Sequence, residues 1–563
     1  MNSHHHRTRA VLVLSMVLTL LAPATAQAAT YVPVNGGGSS WSSNAVDQWR
    51  RNVEQYGMRV NYASTGSVDG RNQFKAGTVD FAVTETPYGL TDNGVLDTLP
   101  SRSFAYMPIV AGGTAFMYNL QVGGKRLTGL RLSGDVVSKI FTGVITMWND
   151  PAIAADNPGV ALPARKVVPV VRSDGSGSTA QFTAWMADQH RPLWDAYCAK
   201  AGRATPCGMT SNFPTLPGKG FVAQPNSQGV SGYVAQNANQ GTITYVEYSY
   251  ALKTGYPVAK VLNSAGYYVG PTAQNVAVGL LEAKINNDEK SAAYLTQDLT
   301  GVYGSKDRRT YPLSSYSYMV VPTSVQSGFT EAKGRTLGAF SYYFLCEGQQ
   351  QADVLGYSPL PMNLVEAGLE QVRKIPGVDA QEVDITKCNN PTFSKDGTNT
   401  LAKNAPMPAE CDRKGATCGG PGAPTGTPDG PGKDDGSGPG GQPDGTPANP
   451  GDDGGSDPGG TPGGDTGGPG SAPDGGSPDG GGTVPGGPDV SQVGATSGGG
   501  PVVCEPDTGV CTNVIALPVE TERKPVGGWG LAAVVASVLA AVVLPPAVGR
   551  VVGARRERSA GAR

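Results

Sequence analysis

Arg172-Ser173-Asp174-Gly175-Ser176-Gly177-Ser178-Thr179 follows the run Lys166-Val167-Val168-Pro169-Val170-Val171 and leads straight into a helix-like segment over 180–189. The β-branched run reads as a short buried strand bounded by breakers. A strand, a Gly/Ser loop and a helix start gather free backbone N–H groups in one concave turn. Hydroxyls of Ser or Thr add donors there, and the helix dipole favours negative charge. Arg172 at the strand end carries a planar, permanently charged fork suited to a tetrahedral oxyanion. Asp174 either holds that guanidinium or caps the helix. Taken alone, the octet is also compatible with a plain capped Ser/Gly turn, so the rest of the chain has to decide.

The same grammar occurs twice nearer the N-terminus. Tyr31-Val32-Pro33-Val34 predicts a strand, and Asn35-Gly36-Gly37-Gly38-Ser39-Ser40-Trp41 a Gly/Ser turn. A helix is expected over 43–56, with Val46, Trp49 and Val53 at helical spacing and Gly57 as its C-cap. A strand at 59–63, the turn Thr65-Gly66-Ser67-Val68-Asp69-Gly70, a short helix over 71–75 and a strand at 78–84 ending at Glu85 follow. Alternation of this kind implies a mostly parallel sheet covered by helices, with ligands at the carboxyl ends of the strands. The 172–179 turn lies far enough along to predict a second sheet. With Ser40, Ser67 and Ser176 facing one another, the site would be a cleft between two lobes, a favoured place for small ligands.

Several of these stretches resemble the phosphate-binding periplasmic proteins of ABC transporters. The resemblance rests on 35–42, Gly66-Ser67, Thr78-Val79-Asp80-Phe81 and 172–179. It extends through Ile140-Phe141-Thr142-Gly143-Val144-Ile145-Thr146-Met147-Trp148-Asn149-Asp150-Pro151 with Asn157-Pro158-Gly159. The blocks at 241–251 and 356–361 match as well, so that it covers roughly residues 31–375. It implies an α/β class II periplasmic-binding-protein fold, two lobes joined by hinge strands. The first would hold 31–107 plus 316–390 and the second 108–315. It implies phosphate donors at Ser40, the Trp41 backbone, Ser67, Arg172, Ser176, Gly177 and Ser178, with Asp174 paired to the Arg. Glu85 stands where the family places an Asp that accepts a proton from bound phosphate. Ser40-Trp41 replaces the usual Thr-Phe, and Ser178 a Thr. A carboxylate at 85 selects a protonated oxyanion, since sulfate would meet it with repulsive, unpaired acceptors.

Composition divides the 563 residues. Residues 419–500 are Gly, Pro, Asp, Ser and Thr almost throughout, without an aromatic, and cannot bury enough apolar surface to fold. A disordered linker is therefore expected over 419–525, behind a Cys-containing tail at 391–418. The N-terminus reads as a signal peptide (1–28): His and Arg residues, an apolar run at 10–21, then Ala26-Gln27-Ala28. Residues 526–549 carry no charge over 24 positions and are followed by five Arg in 550–563. That pattern predicts one transmembrane helix with a cytoplasmic tail and the folded part at the cell surface. The net charge of −3 is concentrated in the linker, with eleven Asp and one Lys in 419–500, which leaves the folded part near neutral. Neutrality argues against nucleic-acid binding but not against capture of one small anion.

The eight Cys suggest disulfides Cys198–Cys207, Cys346–Cys388, Cys411–Cys418 and Cys504–Cys511. Beyond the signal segment the only His is His190, expected at an exposed helix end, so no His-rich metal site is available. Tyr245, Tyr248 and Tyr250 alternate as on a half-buried strand. Three functions are compatible with these residues. One is a surface-tethered phosphate binder working with an ABC permease in the same membrane. Another is a sensor, adhesin or scaffold with the same fold. The third, an enzyme using Ser176, is disfavoured because Gly175-Ser176-Gly177 lacks the nucleophile-elbow pattern. No cofactor is implied.

Overall fold

A glycine-rich strand opens the architecture. The computed structural model describes residues 31–417 apart from 327, together with 502–504 and 511–513. β1 (Val34–Gly38), α1 (Ser43–Val53), β2 (Val60–Ala63), α2 (Ser67–Ala76) and β3 (Phe81–Thr84) alternate, with β1 parallel to both β2 and β3. Glycine is required in β1: a Cβ at Gly36 would lie 2.1 Å from the Phe81 ring, which lies against the strand. Gly57 closes the first helical segment at φ 80°, a left-handed conformation that glycine adopts without penalty. α2 begins at Ser67 rather than at 71, directly after Gly66, whose φ of 102° is a conformation that glycine adopts readily.

The long strand β4 (Phe104–Asn119) leads into a second repetition of the pattern. It consists of β5 (Val168–Arg172), α3 (Gly177–Gln189), β6 (Val222–Gln224), α4 (Asn226–Val234) and β7 (Thr242–Glu247). Here too the three strands run parallel, with β5 central. α5 (Tyr248–Thr254), β8 (Ser314–Pro322) and α6 (Glu331–Leu345) follow. Of the three tyrosines expected on one strand, only Tyr245 lies in β7. Glu247 caps α5 by accepting from Ser249 N–H, and Tyr248 and Tyr250 fall in that helix.

The expectation of two sheets is corrected. One eight-stranded sheet, in the order β6-β5-β7-β4-β8-β3-β1-β2, runs through both halves. β4 is the reason. At 16 residues it extends roughly 50 Å, enough to pair antiparallel with β8 from Phe104 to Gly113 and with β7 from Thr114 to Asn119. The first lobe therefore forms around β1–β3 and the second around β5–β7, with β4 and β8 passing between them. Aromatic packing fills each lobe. Trp49 of α1 stacks on Phe344 of α6 at 5.0 Å in the first, and Phe182, Tyr245 and Phe141 cluster in the second, with Phe182 and Tyr245 4.9 Å apart.

Disulfides Cys198–Cys207 and Cys346–Cys388 form as the spacing predicted. Cys411 is also disulfide-bonded, while its expected partner Cys418 lies outside the described residues. Tail residue Asp412 is seated between Arg131 (3.4 Å) and Lys260 (2.8 Å) of the second lobe.

Two units are distinguished, Met1–Gly441 and Gln442–Arg563. Within the second, Val502–Cys504 and Cys511–Asn513 form an antiparallel hairpin with Cys504 opposite Cys511. The stretch read as linker thus contains one ordered pairing, where β-branched Val502, Val503 and Thr512 interrupt the Gly/Pro composition. The expected signal peptide (1–28), transmembrane span (526–549) and cytoplasmic tail lie outside the described residues. Among the described residues no helix is long and apolar enough to cross a membrane.

Candidate functional site

Chain turns leaving β1, β2, β3, β5 and β6 converge on one seam between the lobes. Each brings polar groups to the carboxyl end of a parallel strand, where helix N-termini α1, α2, α3 and α4 also point. Ser39, Ser40, Ser67, Glu85, Arg172, Ser176, Ser178, Ser227 and Ser317 are all buried there. No dry environment tolerates so many polar groups without partners, so their hydrogen bonds define the site.

Glu85 is the hub. Its Oε2 accepts from Ser67 Oγ at 2.6 Å, and its Oε1 accepts from Ser317 Oγ at 2.7 Å and from Ser39 Oγ. The second lobe reaches the same point. Gly177 N–H donates to Ser67 Oγ at 3.1 Å, and Gln181 Nε2 donates to the Glu85 backbone carbonyl at 2.8 Å. Tyr62 beneath the β1 turn donates to Ser39 O at 2.7 Å. Burial, and secondarily the neighbouring Glu85, holds its phenol protonated well above the usual range.

Arg172 is held by Asp174 through two donors, Nε to Oδ1 at 2.8 Å and Nη2 to Oδ2. Asp174 also accepts from Asn226 N–H at 2.8 Å, so it orients the guanidinium and does not cap α3. The cap is Ser176, whose Oγ accepts from Thr179 N–H at 3.2 Å. Arg172 Nη1 reaches Ser227 Oγ at 3.3 Å, and Ser227 meets Ser40 of the other lobe, Oγ to Oγ at 3.0 Å. Behind Arg172, the Tyr245 hydroxyl accepts from Arg172 N–H and pairs with Thr179. Burial pushes its pKa up to about 12.

All the residues expected at the site therefore lie along this seam, though not all are alike in role. Trp41 N–H donates to Ser39 Oγ at 3.0 Å, and its buried ring packs edge-on against Tyr357. Ser178 Oγ is buried and makes no hydrogen bond among the described residues. Ser39, Ser227, Ser317, Gln181 and Tyr245 were missed. Ser227 had a legible signal, the strand-turn-helix sequence Val222-Ala223-Gln224-Pro225-Asn226-Ser227, which repeats the grammar of the opening octet. Ser317 had none, since only the pairing of β8 beside β3 brings it to Glu85.

His190 is half-buried at the junction of two helices, against Trp185 at 4.8 Å, rather than exposed; burial lowers its pKa. It follows the far end of α3, 13 residues from the end that meets the seam, so roughly 20 Å separates it from Ser176. The two do not form a nucleophile–base pair.

The PBP superfamily domain matches residues 23–347, which include every residue of the seam and more than half of the 563-residue chain. The phosphate-binding protein PstS of Xylella fastidiosa (strain Temecula1) is 31% identical over 347 residues, covering 61% of this chain and 86% of that one. The chain belongs to the PstS phosphate-binding protein family. Its PstS relative from Pasteurella multocida is 30% identical over 363 residues, covering 64% of this chain and 94% of its own. Mycobacterium tuberculosis PstS 2 is 28% identical over 337 residues, 58% and 83%. A solved periplasmic phosphate-binding protein with bound phosphate (PfluDING) is 18% identical with a TM-score of 0.47, covering 64% of this chain and 98% of that chain.

Proposed function

We propose that this PstS-family chain binds inorganic phosphate, in a protonated form, between its two lobes outside the cytoplasmic membrane. The phosphate is then delivered to an ABC-type phosphate permease or sensed in place, with the chain held to the membrane through 526–549. One observation carries the reading. The Glu85 carboxylate sits among three serine hydroxyls of the first lobe and directly against the N-terminus of α3 of the second, beside a guanidinium already fixed by Asp174.

An oxyanion entering as the lobes part takes over donors now engaged within the seam, such as the Gly177 N–H on Ser67 Oγ, together with the Ser178 hydroxyl, which has no partner among the described residues. In this reading Ser40, the Trp41 N–H and Ser67 donate from one side. Arg172, Ser176, the Gly177 N–H and Ser178 donate from the other. Donors fixed before binding cost little reorganisation, and α3 adds its positive end. Glu85 supplies the one acceptor. A phosphate oxygen that keeps its proton donates to it, whereas sulfate has no proton to offer and meets lone-pair repulsion.

Isothermal calorimetry on the full chain tests this. Phosphate should bind with a measurable heat and sulfate should give none. Equal binding of both anions, or of neither, would remove the assignment.

A further inference from the structure

We propose that Asp92 is an interlobe latch that holds the cleft closed and sets the rate at which ligand leaves. The kinetic part rests on the phosphate reading; the positional part does not. Between β3 and β4 the chain makes a hairpin, Thr91–Asp92 paired with Val95–Leu96, around the two-residue turn Asn93-Gly94. Both turn residues have positive φ, 52° and 79°, the conformation that the Asn-Gly pair favours and that gives a hairpin a fixed, twisted shape.

The base of this arm belongs to the first lobe. Asp97 is held by Arg71 Nε at 2.9 Å and by Lys75, both on α2. Tyr88 donates its N–H to Tyr106 OH at 2.7 Å and its hydroxyl to Arg71 O at 2.9 Å. The tip belongs to neither lobe alone. Asp92 Oδ1 accepts from Arg203 Nη2 at 2.6 Å, and Oδ2 accepts from Thr210 Oγ1 and Ser211 N–H, both at 2.9 Å. Arg203, Thr210 and Ser211 all lie on the second lobe, in and just beyond the loop closed by Cys198–Cys207. The pair is partly shielded, with side-chain exposures of 29% for Asp92 and 13% for Arg203.

The latch is joined to the ligand seam through one residue. Ser211 gives its N–H to Asp92, while its carbonyl accepts from the N–H of Ser176, the cap of α3. Thr210 is clamped to the same helix through Thr183, N–H to Oγ1 at 2.9 Å and Oγ1 to carbonyl at 2.9 Å. Seven positions before Asp92 stands Glu85, so both ends of the latch lead into the seam. Parting the lobes requires Asp92 to leave three donors at once, and none of these contacts touches the ligand position. Asp92 is therefore a positioning residue whose strength appears in dissociation, not in recognition.

Asp92→Asn, Arg203→Ala and the double variant, made in the full chain, test this by stopped-flow phosphate kinetics. Each single variant should raise koff about tenfold, the scale of a charge-assisted hydrogen bond, with kon unchanged. The double variant should exceed neither single one. Spin labels at Asn72→Cys on α2 and Gln228→Cys on α4, both exposed, should move apart in the ligand-free latch variants relative to the parent. An unchanged koff, effects that multiply in the double variant, or an unchanged label distance would each overturn the latch. A parent chain that takes up no phosphate removes the ligand reading, and the label distance then decides the latch alone.

Discussion

Gly177 and Glu85 meet across the two lobes so closely that a Cβ on the glycine would stand 1.9 Å from Glu85 Oε2 and 2.7 Å from Ser67 Oγ. The first residue of α3 thus has no room for a side chain when the lobes are together. Overpacking of a tight contact costs about 1–3 kcal/mol. Gly177→Ala should therefore weaken phosphate binding by about 10- to 100-fold, as measured by calorimetry. Unaltered affinity would mean that the lobes do not press together at this seam when ligand is bound.

Glu85 and Arg172 should fail in different ways. Arg172→Ala removes the charged double donor and leaves the half-buried Asp174 carboxylate with Asn226 N–H as its partner, a loss of roughly 2–5 kcal/mol in phosphate binding. Glu85→Gln keeps the shape but exchanges half of the acceptor for an N–H₂ donor. Phosphate should weaken by about 10- to 100-fold, the range of a hydrogen bond to a charged group, while sulfate should begin to bind. Competition calorimetry with the two anions separates the outcomes. Continued rejection of sulfate by the Gln variant would show that Glu85 does not set the choice of anion.

The local grammar of this chain was readable because strand, Gly/Ser turn and helix start are written in consecutive residues. Ser40, Ser67, Arg172 and Ser176 could be named from it, and so could Gly57 as a cap. What could not be read is anything decided by pairing at a distance. Ser317 comes to Glu85 only because β8 lies between β3 and β4, and the continuous sheet exists only because β4 changes partner between Gly113 and Thr114. Asp174 looked equally suited to capping α3. The choice was made by Asn226 N–H, 52 positions away, which fixes the carboxylate facing Arg172. Tyr248 and Tyr250 mislead by their alternation, because Glu247 caps a helix at the point where the strand pattern continues.

The two described disulfides should differ in what they contribute. Cys346–Cys388 closes a span of 42 residues and Cys198–Cys207 one of 9. In the chain-entropy account the longer loop contributes about 4 kcal/mol and the shorter less than about 3. Paired Cys→Ser variants, unfolded in guanidinium, should show the larger loss for Cys346/Cys388. The reverse order would indicate that the short loop, which carries Arg203 to Asp92, matters through native contacts rather than through the unfolded chain.

Glu247 offers a test by pH. The residue is fully buried behind the Trp41 turn. It accepts from Ser249 N–H at 2.8 Å, and its Oε1 lies 3.3 Å from where a Cβ on Gly112 would be. Burial pushes its carboxyl pKa well above the ordinary value, with hydrogen bonds from Ser249 opposing only in part. Because the folded value is the raised one, the protonated acid favours the fold fully below the unfolded pKa of about 4.3. That contribution is lost as pH rises toward the folded value, since the unfolded chain ionises first and gains from it. Glu247→Gln keeps a carbonyl oxygen to cap α5 and cannot ionise. Its Tm relative to the parent should therefore climb steadily from pH 4 to pH 8, starting near zero difference. A gap that stays constant across that range would show that Glu247 titrates alike in the folded and unfolded chains, and that the buried acid does not draw stability from its proton.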